Sequence, residues 1–79
     1  MPHYVYIIEC QNKTFYTGIT DSVGKRMAEH QTGKSKSTQY RRPIKLKCFL
    51  CFPNKSKAAQ FEKYLKSHSG RAFLKKHLI

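Results

Sequence analysis

The 79 residues carry 16 lysines and arginines against 4 acidic side chains, a formal net charge of +12, with 39% hydrophobic and 13% aromatic content. That length holds one hydrophobic core and not two, and the hydrophobic share excludes wholesale disorder. So large an excess of positive charge repels itself and draws polyanions, nucleic acid above all. From position 31 onward 13 basic residues face a single acid, Glu62. No apolar run approaches the roughly 18–20 residues of a membrane span, and the N-terminal residues lack a signal peptide's apolar stretch. The expectation is therefore a soluble cytoplasmic protein with no membrane segment.

Residues 3–10 are rich in β-formers. Tyr4, Tyr6, Ile8 and Cys10 alternate with Val5 and Ile7, so both faces are apolar and the strand should be covered on two sides. A short polar stretch over 11–13 predicts a hairpin into a second strand over 14–19, where Tyr16 and Gly18 share a face. Gly18 marks either a strand end or bulge, or the close approach of another backbone or a ligand. Thr20, Asp21 or Ser22 can cap the next helix, and Gly33 ends it. On that helix Val23 and Met27 form an apolar stripe, while Arg26 and His30, four apart, share another face. Gly24 within it costs about 1 kcal/mol relative to alanine.

Residues 33–43 read as a basic surface loop, with Pro43 steering Arg42 away from helix. A third strand over 44–52 places Ile44, Leu46, Cys48, Leu50 and Phe52 toward one core. Ser56 is the expected N-cap of a helix over 57–68 that packs through Ala58, Phe61, Leu65 and His68. Ser69 and Gly70 separate it from a last basic helix, with Phe73, Leu74 and Leu78 as its buried positions. The predicted class is α/β (α+β), a small three-stranded antiparallel sheet flanked by helices in a single domain over 1–79.

Three cysteines are an odd number and do not suggest a disulfide framework. Cys48 and Cys51 have a zinc-like spacing, but three positions apart on a strand they point to opposite faces, and only Cys10 remains to complete a site. Cys10, Cys48 and Cys51 are expected to be buried structural thiols.

Taken singly, the polar candidates have ordinary explanations. A strand tyrosine usually packs with its hydroxyl at the rim. Arg26 fits a phosphate-attracting surface, His30 suits a helix C-terminus, and Glu62 stands four residues before Lys66 in the orientation of an intrahelical ion pair. Together they form a pattern. Tyr4-Val5-Tyr6, then Tyr16-Thr17-Gly18, then Arg26, His30 and a Phe-Glu-Lys-Tyr helix around Glu62 closely resemble the GIY-YIG nuclease signature. The resemblance spans nearly the whole chain and is strongest to the small stand-alone bacterial GIY-YIG proteins. It departs at Tyr4, where the family carries glycine, and at Thr17, where it carries isoleucine.

The resemblance implies an endonuclease that hydrolyses DNA phosphodiester bonds, in a superfamily that also serves DNA repair. By that likeness Glu62 holds one Mg²⁺ or Mn²⁺ ion, weakly bound without substrate, and Arg26 forks onto the scissile phosphate. Tyr6 takes the proton from water and Tyr16 orients it, the reverse assignment being open, while His30 contacts phosphate or helps move the proton. Lys25, Lys34, Lys36, Arg41, Arg42, Lys45 and Lys47 would track the nucleic-acid backbone without reading bases. A protein partner would supply sequence preference. The rival reading is a non-catalytic basic nucleic-acid-binding module, which the charge alone fits equally well.

Overall fold

The computed structural model describes residues 2–11, 13–34 and 42–79. Along these residues run β1 (His3–Glu9), β2 (Phe15–Thr20), α1 (Val23–Thr32), β3 (Lys45–Phe52), α2 (Lys55–Leu65) and α3 (His68–Phe73). A wider helical turn over Leu74–Leu78 continues α3. The strands form an antiparallel sheet in the order β2-β1-β3, which is the predicted α+β architecture. Two of the predicted site positions, Lys36 and Arg41, lie outside the described residues.

β1 is the central strand, and its apolar side chains are buried on both sides. Val5 and Ile7 are buried with Ala58, Leu65 and Leu74 under α2 and α3. Tyr6, Ile8 and Cys10 are buried with Ile44 on the opposite face, where Met27 of α1 packs. A strand enclosed on both faces needs this continuous run rather than strict alternation.

The sequence predicted that the even-numbered residues of β3 share one core. The structure divides them. Ile7 pairs with Cys48 but Ile8 pairs with Leu46, leaving Lys47 as an extra residue in a bulge. Such an insertion shifts which face the following side chains take. Ile44 and Leu46 consequently join the cluster under α1, whereas Cys48, Leu50 and Phe52 pack on the α2 side.

Helix ends follow local hydrogen-bond chemistry. Ser22 caps α1 by accepting from the Lys25 amide, and Gly33 closes it at φ 83°, a left-handed conformation suited to glycine. Arg42 lies over that end and donates to the Gln31 carbonyl at 3.2 Å. Gln31 also brackets Ile44 with its side-chain amide, at 3.0 Å to the carbonyl and 3.4 Å from the amide nitrogen. This fixes where β3 begins relative to α1.

Asn54, not Ser56, caps α2, its Oδ1 accepting from the Lys57 amide at 2.9 Å. The helix therefore starts and ends earlier than predicted. His68 falls at the exposed start of α3 instead of packing in α2. Gly70 is not a separator either: it is buried inside α3, where any Cβ would run into the Tyr64 carbonyl. Its missing side chain is what lets α3 fold back onto α2.

The cysteines are free, and burial holds for Cys10 alone: Cys48 is half-buried and Cys51 is exposed. Cys51 sits across from Tyr4, one position beyond the cluster under α1. Phe49, beside it on that face, is 52% exposed.

Two glycines should respond oppositely to alanine. Gly70→Ala should lose about 2–3 kcal/mol through overpacking against backbone. Gly24→Ala, with open space around it, should gain up to about 1 kcal/mol. Urea denaturation of both variants checks this.

Candidate active site

Tyr6 is carried on β1 directly opposite Gly18 of β2. A Cβ at position 18 would collide with the Tyr6 hydroxyl and ring, so the glycine is what allows this ring to lie across the neighbouring strand. The sequence offered a strand end or bulge, or the close approach of another backbone or a ligand, and what stands against Gly18 is neither a second backbone nor a ligand. The group that approaches is the protein's own phenol.

α1 brings the next two groups. Arg26 and His30, one helical turn apart, both reach the Tyr6 hydroxyl: Arg26 Nε donates to it at 3.2 Å and His30 Nε2 lies 3.0 Å away. Tyr6 is 1% exposed and His30 fully buried. Tyr16 closes the cluster, its ring centroid 6.3 Å from that of Tyr6 and 5.6 Å from that of His30. Four residues that the sequence singled out thus form one constellation.

Sequence reasoning missed a fifth, Glu29. Its Oε1 accepts from Arg26 Nη1 at 2.9 Å, and the i,i+3 spacing was the available signal. The pair leaves the guanidinium held at both ends, by a phenol and by a carboxylate. Arg26 is pushed further toward the charged form, first by Tyr6 and then by Glu29. Glu29 is lowered in turn, mainly by its bond to Arg26.

Burial is the main influence on the phenol and raises the Tyr6 pKa above its ordinary value, against the hydrogen bond and charge of Arg26. Tyr16 and the Glu62 carboxylate add to the upward push, so Glu62 of α2 is electrostatically coupled to this phenol. Its side chain is 22% exposed and its Oε2 pairs with Lys66 Nζ at 3.3 Å. His30 is shifted the other way. Burial and then the Arg26 charge lower its pKa, with Glu29 opposing, which keeps the imidazole neutral near pH 7.

The donor set bears on a metal. Among the described residues no three His, Cys, Asp or Glu side chains gather to hold an ion. A lone hard carboxylate such as Glu62 suits Mg²⁺ or Mn²⁺, which keep water ligands; it does not suit zinc.

Among the described residues, the predicted backbone-tracking cations do not share one surface. Lys25 and Lys34 are exposed at the two ends of α1, and Arg42 is engaged at its C-terminus. Lys45 is in register with Glu9, and Lys47 is ion-paired to it at 4.0 Å. Glu9 alternates with Ile8, so both lysines lie on the sheet face opposite Tyr6. The bulge at Lys47 is the reason they do not extend the basic surface of α1.

With this geometry in hand, the chain matches the model of the GIY-YIG catalytic domain over residues 2–76. It belongs to the GIY-YIG family. A UPF0213 protein of Haloquadratum walsbyi is 43% identical over 68 residues, covering 85% of this chain and 76% of that protein. A UPF0213 protein of Halalkalibacterium halodurans is 42% identical over 72 residues, covering 90% of this chain and 77% of the relative. The solution NMR structure of a UPF0213 protein from Bacillus halodurans superposes with a TM-score of 0.60 at 38% identity, over 96% of this chain and 84% of that one. This GIY-YIG domain is thus similar to small proteins of the same family, and no helix in its described residues is long and apolar enough to cross a membrane.

The depressed His30 pKa has a consequence for stability. The unfolded chain binds the His30 proton more readily, so the contribution is fully present above the unfolded value of about 6.5 and is lost as pH falls through the lower folded value. Urea midpoints should therefore drop as pH falls from 7.5 to 5. His30→Gln, which cannot titrate, should flatten that dependence.

Proposed function

We propose that this domain is a metal-dependent endonuclease that hydrolyses DNA phosphodiester bonds. The observation that carries the reading is the Tyr6 hydroxyl, engaged at once by a guanidinium that can bind phosphate and by a neutral imidazole that can accept a proton. Family membership supports the same class of chemistry.

A scissile phosphate competes with Glu29 for Arg26, whose fork matches two phosphate oxygens and steadies the charge that builds as water adds to phosphorus. With Arg26 drawn onto the substrate, Tyr6 opens to the attacking water. The water proton passes to the Tyr6 oxygen while the Tyr6 proton moves to His30 Nε2, so the phenol relays charge without existing as a free phenolate. The new water–phosphorus bond forms as the bond to the 3′ oxygen breaks, and His30 returns its proton to solvent. Tyr16, edge-on to His30 and tilted against Tyr6, orients the incoming water. Glu62 would hold Mg²⁺ or Mn²⁺, which when bound supplies Lewis-acid cover for the leaving oxygen.

The rival module reading draws on one specific observation, the raised Tyr6 pKa, because a buried phenol held protonated is a poor base. Nicking assays with Mg²⁺ or Mn²⁺ on plasmid, branched and single-stranded DNA separate the two. Wild type should cut; Arg26→Ala should slow cutting by about 10²–10³-fold, the loss typical of one charge-stabilising donor. Tyr6→Phe and Glu62→Ala should abolish metal-dependent cutting, while binding by all three stays within a few-fold of wild type. A wild type that binds every substrate and cuts none hands the domain to the module reading.

A further inference from the structure

Beside β2, on the sheet face that α2 and α3 cover, lies a cleft of about 480 Å³ that shares Tyr16 with the candidate active site. Phe15, Thr17 and Leu74 supply apolar lining, and Lys66, Arg71 and Lys75 stand around it. Phe15 is 39% exposed although it is a large aromatic on an edge strand. Among the described residues Arg71 and Lys75 have no carboxylate partner; Glu9 and Glu29 are ion-paired elsewhere, and Glu62 is paired to Lys66 beside the cleft. An open aromatic ring flanked by uncompensated cations matches a nucleotide: a base has a π-face to stack and a phosphate to pair.

The position of the cleft gives the match a purpose. Phe15 and Thr17 flank Tyr16 on β2, and Lys66 is one helical turn beyond Glu62, to which it is bonded. The hollow is therefore continuous with the candidate active site around the free edge of β2. Lys75 stands on the widened turn that follows α3, a helical irregularity often found at functional sites.

We propose that this cleft is a nucleotide subsite, taking a nucleotide adjacent to the scissile phosphodiester with its base on Phe15 and its phosphate between Arg71 and Lys75. The proposal rests on the nuclease reading for the identity of its ligand, but its test requires no cleavage. A ¹H–¹⁵N correlation titration with the 5′-phosphorylated thymidine dinucleotide, in EDTA, reads the site residue by residue. Shifts should centre on Phe15, Thr17, Arg71 and Lys75. Phe15→Ala, and separately Arg71→Gln with Lys75→Gln, should weaken the dinucleotide about tenfold, the scale of one stacked base or one phosphate contact. Lys55→Gln with Lys57→Gln removes the same charge from the far end of α2 and should weaken it by less than twofold.

All of these side chains are exposed, and the dispersion of the same spectra shows whether each variant is folded. Shifts that leave the cleft unmoved, or equal losses in the cleft and control pairs, would overturn the subsite. Cleft shifts in a protein that cuts nothing would retain the subsite and reject the nuclease. Cutting with a silent cleft would do the reverse.

Discussion

The seat of Tyr6 is the constraint around which the domain is arranged. A phenol carried on the central strand must cross β2, and only the absence of a side chain at Gly18 clears its path. Its hydroxyl then ends in a place where water is scarce, so α1 must present partners there. Arg26 and His30 do so from one helical turn. Ser22 sets the start of α1 and Gly33 its end, which fixes the rotation that brings both residues inward. Among the described residues no buried side-chain nitrogen or oxygen is left without a partner. That is the condition under which a polar cluster can sit in a core without cost to the fold.

The same cluster explains the use of acids in so basic a chain. Three of the 4 acidic residues are in ion pairs, Glu29 with Arg26, Glu62 with Lys66 and Glu9 with Lys47. Partly exposed pairs of this kind contribute little to stability. They hold cations in place, and under the proposed function Arg26 would exchange its carboxylate for a phosphate of the nucleic-acid backbone. Lys47 is taken out of play on the opposite face of the sheet, where the bulge puts it.

Residue patterns alone determined much here: the two-sided β1, the hairpin, the first helix with its end at Gly33, and the i,i+4 pairing of Arg26 with His30. These are local properties, set by strand alternation, helical pitch and cap chemistry within a few residues. The family signature likewise lies in spacing along the chain, and so was legible. Tertiary structure decided the rest. The bulge at Lys47 depends on the partner strand, and it redistributed β3 between two cores and moved two lysines off the site face. Gly70 looks like a helix break until the Tyr64 carbonyl is seen beside it. Glu29 looks like an exposed acid until Arg26 is anchored to Tyr6 and brings it into the site. In each case the meaning of a residue depends on a group distant in sequence or held by a distant one, and periodicity along one segment carries no information about what packs against it.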